Sequence, residues 1–170
     1  MMRRLLIAPL LAAALLVAAV LAAPVAEAAT PACSASGLVI WAGEEAGGGT
    51  AGSVFYRIEM TNLSGHSCTV SGYPKVNAVN LQGKRIGAPA THEPGKKAHT
   101  VKLAPGATAA ATLRIVDALN FPKNQCKPTL AAGLRISVPG GSGHKIAPLA
   151  FETCALTKSK TLAVSVVDAA

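Results

Sequence analysis

The sequence predicts an all-β fold, an antiparallel β-sandwich of about eight or nine short strands carrying two disulfides. Three observations carry that reading. Apolar residues recur at every second position in several runs, clusters of Gly and Pro separate those runs, and four cysteines follow a segment built for export.

That segment comes first in the chain. Met1-Met2-Arg3-Arg4 is a short positive stretch, Leu5 to Ala23 is apolar apart from Pro9, and Ala26-Glu27-Ala28 is an A-x-A cleavage pattern. Residues 1–28 are therefore expected to be a signal peptide, and residues 29–170 a single mature domain. The apolar run is long enough to cross a hydrocarbon core of ~30 Å if retained. The A-x-A pattern and the polar, Gly-rich sequence behind it favour cleavage, leaving no membrane span in the mature form. Thr30-Pro31-Ala32 before Cys33 is unlike the Leu-small-small-Cys junction of a lipoprotein.

The strands follow in order. Val54, Tyr56, Ile58 and Met60 alternate with Phe55, Arg57, Glu59 and Thr61; Ala109, Ala111, Leu113 and Ile115 alternate with Ala110, Thr112 and Arg114. Leu134, Ile136 and Val138 alternate with Arg135 and Ser137, and Leu162, Val164 and Val166 with Ala163 and Ser165. One buried face per strand is what packed antiparallel sheets require. Less regular strands are expected at 37–43, 69–71, 76–81, 98–103 and 145–149. Turns are expected at Gly47-Gly48-Gly49, Asn62-Leu63-Ser64-Gly65, Gly72-Tyr73-Pro74, Gln82-Gly83, Pro94-Gly95, Pro105-Gly106 and Gly140-Gly141-Ser142-Gly143, where Gly supplies positive φ and Pro withholds a ladder donor. Lys127 to Ala132 has the composition for one helical turn.

Cys33, Cys68, Cys126 and Cys154 contain no CxxC and have no His at ligand spacing, which argues against zinc. In an exported chain they are expected as two disulfides. Pairing strand 37–43 with 53–62 brings Cys33 towards Cys68, and pairing 134–138 with 145–149 brings Cys126 towards Cys154. The expected bonds are Cys33–Cys68 and Cys126–Cys154.

Sixteen Lys and Arg against eight Asp and Glu give +8; without Arg3, Arg4 and Glu27 the mature chain carries +7. That balance favours anionic material such as wall polymer, and export argues against nucleic acid. The cations are scattered (Lys84-Arg85, Lys96-Lys97, Lys158, Lys160), as on a solvated surface.

Chemistry is harder to find. Acyl-transfer catalysis needs a nucleophile, a base and an orienting acid. The mature chain offers only Asp117 and Asp168 as aspartates and no G-x-S-x-G elbow. Glu44-Glu45 would point to opposite faces of a strand and suit a solvated turn, not the opposed carboxyls of a glycosidase. His92 and His99 share a loop with Lys96 and Lys97, whose charges oppose a metal ion; His66 and His144 lie apart. No catalytic residue, cofactor or metal is expected. Trp41, the single tryptophan, shares a strand with Leu38 and Ile40 and is expected in the core; if alternation turns it outward it becomes the best sugar-stacking candidate. Phe55 is expected to face outward, where a patch with Val116 or Val167 would form a partner surface.

Taken together, Cys33 with Leu38, Gly52-Ser53-Val54-Phe55-Tyr56, Thr61-Asn62-Leu63-Ser64-Gly65, Cys68-Thr69-Val70-Ser71-Gly72-Tyr73-Pro74, Leu103-Ala104-Pro105-Gly106, Cys126 and Cys154 resemble the secreted actinobacterial family known as domain of unknown function 4232. The resemblance implies an immunoglobulin-like sandwich sent to the envelope or medium, sometimes lipid-anchored, and it transfers no catalytic or binding residues. This chain lacks the acylatable cysteine of the lipid-anchored variants. Asn62 and Gly65 suit a turn with positive φ, and Pro105-Gly106 suits the centre of a type II turn. The expected function is a secreted cell-envelope or extracellular interaction domain, not an enzyme, whose partner is a protein or an anionic wall polymer. The alternative is a carbohydrate- or lipid-binding envelope module with Trp41 or Phe55 at its contact.

Overall fold

Alternation decides which side chains enter the core, and strand register follows from it. The computed structural model describes residues 29–170; the expected signal peptide, residues 1–28, lies outside them. Strands β1 (Leu38–Thr50) and β2 (Ser53–Asn62) form an antiparallel hairpin with Leu38 opposite Asn62 and Glu44 opposite Tyr56. Then come β3 (Cys68–Ser71), β4 (Lys75–Val79), β5 (Arg85–Ile86), β6 (Thr91–His92) and β7 (Thr100–Leu103). The second half holds β8 (Thr108–Val116), β9 (Pro128–Ser137), β10 (His144–Cys154), β11 (Leu162–Val164) and β12 (Asp168–Ala169).

The described residues are mostly strand and form three sheets. One has the order β1-β2-β8-β11-β6 with β12 also on β8, one the order β10-β9-β4-β5, and one pairs β3 with β7. All these pairings are antiparallel except β11 with β6, which runs parallel at Ala163–Thr91 and Val164–His92. Ile58 and Leu113 of the first sheet, Leu134 and Ile136 of the second, and Val70 and Leu103 of the third belong to one buried cluster. Each fully buried Leu or Ile of that cluster contributes about 1.5–3 kcal/mol.

Cys33 is bonded to Cys68 and Cys126 to Cys154, closing sequence separations of 35 and 28 residues. By chain entropy each loop contributes about 3.5–4 kcal/mol. Cys126 and Cys154 pack with Ala118 and Phe121 as a small second cluster.

Several elements depart from the sequence reading. Strand β1 runs through the glycines to Thr50, with a bulge between Glu44 and Gly49, so the hairpin turns at Ala51-Gly52 instead of Gly47–Gly49. The helical turn is Lys123–Cys126, because Lys127 adopts φ 54° and ends it, and the residues beyond join β9. Among the described residues only nine strands have three residues or more; β5, β6 and β12 are two-residue pairings. The last run is split. Leu162 pairs with Ile115 but Asp168 with Ala110, so one extra residue is accommodated between them. At this bulge Ser165 Oγ accepts a hydrogen bond from Thr112 N (2.9 Å), standing in for a ladder carbonyl. The bulge changes the parity, so Val167, not only Leu162 and Val164, enters the core.

Asn62 does not take the positive φ expected of it, nor does Gly65. Asn62 closes β2 with its side chain fully buried. Its Nδ2 donates to the carbonyls of His66 (2.9 Å) and Leu103 (3.0 Å), and its Oδ1 accepts from Ser64 N and Oγ (2.9 and 2.6 Å). All four polar positions of the amide are used, so two loops are tied to the end of one strand. One of those loops holds the Pro105-Gly106 turn, where Ala107 N donates to Ala104 O and Gly106 takes φ 82°, a value that favours glycine.

Candidate binding face

The outward face of the six-stranded sheet collects the side chains that the core excludes. Because register fixes which residues stand side by side, the face can be read as rows running across the strands. One row is Trp41, Glu59, Ala110 and Asp168, from β1, β2, β8 and β12. The next is Gly43, Arg57, Thr112 and Ser165. A third places Phe55 beside Arg114 and Arg114 beside Ala163.

Trp41 faces outward, against the expectation of a core position, and is 45% exposed. Leu38 and Ile40 take the inward positions of β1, so parity leaves Val39 and Trp41 outside. The ring lies over Gly43: a Cβ there would collide with Trp41 Cζ3. Trp41 Nε1 donates to Glu59 Oε2 (3.1 Å), while Glu59 Oε1 accepts from Arg57 Nε (2.8 Å). An indole N–H lies in the ring plane, so this bond fixes the ring by its edge and leaves a face free. Phe55 is half-buried, with Val116 diagonal to it across the β2–β8 pair. Val167 is buried in the core and forms no patch with Phe55.

The other end of the rows is closed by the segment after β6. Glu93 accepts from Arg114 Nε, and Lys96 Nζ is bonded to Asp168. His99 Nε2 stands 3.4 Å from Asp168 Oδ1. The Lys96 hydrogen bond and charge hold the Asp168 carboxyl below its ordinary value of 3.8, with His99 adding to the effect. Between these groups lies an open trough of about 480 Å³ that includes Arg57, Lys96, Ala110, Thr112, Ser165 and Asp168. On the inner side of the sheet, burial pushes the Tyr56 phenol above 10.0, and Glu44 across the pair adds to it.

The remaining sequence candidates are spread out. His92 stacks on Tyr73, ring centroids 4.0 Å apart and 5° from parallel. His66 contributes its carbonyl to Asn62, and His144 is exposed at the start of β10. Among the described residues no group of three His, Cys, Asp or Glu stands together to hold a metal ion, and no helix is long and apolar enough to cross a membrane. Sequence reasoning did not assemble the trough. Alternation alone puts Arg57 and Glu59 outside, but Lys96 and Asp168 are 72 residues apart and no pattern links them.

The model of the family described as Domain of unknown function (DUF4232) matches residues 33–168. No curated protein and no solved structure matches the chain.

Proposed function

From the premise that this chain belongs to the DUF4232 family, we propose that it is an exported, non-catalytic interaction domain of immunoglobulin-like sandwich architecture. It acts at the cell envelope or in the medium of an actinobacterium, and its partner is a protein or an anionic wall polymer. The observation that carries this reading is the outward face of the six-stranded sheet. Trp41, held by Glu59, and Phe55, beside Arg114, sit there on a backbone fixed by ladder bonds on both sides of β2. A rigid surface pairing rings with cations is the composition of contact sites. Two disulfides suit an oxidising compartment, and the formal charge of +7 on residues 29–170 suits anionic polymer.

Co-sedimentation of the purified protein with isolated cell envelopes across a salt series tests it. Binding is expected at low salt. Loss of binding as the screening length falls from ~10 Å to ~3 Å identifies anionic polymer, and persistence identifies a protein partner. Protein left in the supernatant at every salt concentration, or turnover of acyl esters or wall peptides, overturns the proposal.

The outward placement of Trp41 favours a second reading, a carbohydrate- or lipid-binding envelope module. A ring fixed by its edge with a face to solvent is suited to stacking.

A further inference from the structure

We propose that the outward row from Trp41 across to Asp168, whose far half is the trough, binds an uncharged, extended β-1,4-linked oligosaccharide, an inference that rests on the second reading above. The rows supply the shape. Trp41 and Asp168 are separated by three strand spacings of ~4.8 Å, about the length of three pyranose rings. Next to Trp41 stands the Arg57–Glu59 pair, beyond it the floor of the trough is built from small side chains, Ala110 and Thr112, and the far end is walled by the Lys96–Asp168 pair. A row of register partners crosses the strands in one line with a gradual twist and suits an extended chain better than a helical one.

Charge chooses the class of ligand. Although the chain as a whole is strongly cationic, the charged groups here are matched: Arg57 with Glu59, Arg114 with Glu93, and Lys96 with Asp168. Such pairs present donors and acceptors side by side with little net field. That suits hydroxyl groups, each of which both donates and accepts. An anionic polymer would gain no steering here, and a lipid tail would have to desolvate the ion pairs. Trp41 supplies the stacking face at the other end, already oriented by Glu59 and so losing little freedom on binding.

Trp41 is the chain's single tryptophan, so its fluorescence reports on the site directly. The full protein is titrated with chitohexaose, cellohexaose and maltohexaose. A saturable change in emission is expected with at least one of the two β-1,4-linked hexasaccharides, and an affinity roughly tenfold weaker for the α-1,4-linked maltohexaose. Trp41→Ala, followed by calorimetry, and Thr112→Phe, which fills the floor while keeping a strand-forming residue on the exposed side, are each expected to weaken binding roughly tenfold. Circular dichroism confirms that both variants fold. No response to either β-1,4-linked probe up to about 10 mM overturns the proposal. So does equal binding of maltohexaose, or binding unchanged in two folded variants. If these probes fail while envelope co-sedimentation persists, the oligosaccharide site falls and the interaction domain stands. If the probes bind while the protein stays in the supernatant, the site stands and envelope attachment falls.

Discussion

Asn62 shows how much one side chain can organise. Replacing it with Ala leaves the buried carbonyl of Leu103 without the Asn62 donor, while the carbonyl of His66 keeps Ser64 Oγ. The expected loss is about 1–3 kcal/mol, from one buried group left unsatisfied, measured by urea unfolding. Asn62→Asp should fare little better, because a carboxylate cannot donate. Asp168 gives a prediction in pH. Its carboxyl is held below the ordinary value by Lys96, so the folded form binds its proton less readily than the unfolded chain. The stabilisation is therefore complete above the unfolded value of 3.8 and lost as pH falls through the lower, folded value. Carboxyl carbon NMR should show Asp168 titrating below 3.8 in the native protein and closer to it in Lys96→Ala. The sequence offered the residues of both devices but neither pairing. Asn62 and Gly65 read as a turn with positive φ, since local composition does not reveal that a buried amide is serving carbonyls four and 41 positions away.

Elements were legible where parity was strict. Ile58 and Met60, Leu113 and Ile115, and Leu134 and Ile136 are buried, and their strands are where alternation placed them. The failures have physical causes. Glycine carries no side chain to mark a face, so a strand continuing to Thr50 looked like a turn. The bulge at Ser165 depends on a hydroxyl that bonds across to Thr112, and alternation continued past it turns Val166 inward and leaves Val167 out, whereas both are buried. Ser165→Ala removes the acceptor for Thr112 N at a partly buried site. It should cost about 1–2 kcal/mol and raise amide exchange at Thr112, measured by hydrogen exchange. Gly87→Ala tests the passage between β5 and β6. Gly87 takes φ 63°, and a Cβ there would meet the carbonyl oxygen of Cys154. Strain and collision add, so the variant should lose about 2 kcal/mol or more and should perturb the Cys126–Cys154 cluster, while Gly83→Ala, near only the flexible tip of Ile146, should lose less.

At the scale of the molecule, three sheets share one core, and their pairings join residues far apart in sequence, as β11 does with β6 and with β8. A topology of this kind closes many loops before burial rewards them. With both disulfides intact, refolding is expected on the millisecond-to-second scale, as stopped-flow fluorescence of Trp41 would show. The trough belongs to this scale too. It joins Arg57, Lys96, Thr112 and Asp168 from distant stretches of the chain, which is why no local motif announced it, and only the assembled register brings Trp41 and Asp168 into one row.

The two disulfides also determine what a mechanical pull on this protein would do. Each encloses one hairpin: β1 and β2 lie between Cys33 and Cys68, and β9 and β10 between Cys126 and Cys154. Tension entering ahead of Cys33 passes across the sulfur bridge to Cys68, so the backbone of the strands that carry Trp41, Arg57 and Glu59 is never itself drawn out. Stretched between its ends under oxidising conditions, the chain should withhold the 35 and 28 residues of the two loops, a shortfall of about 220 Å at roughly 3.5 Å per residue that reductant restores. A pull between the two ends would therefore draw out the middle of the chain and leave the first hairpin a closed loop.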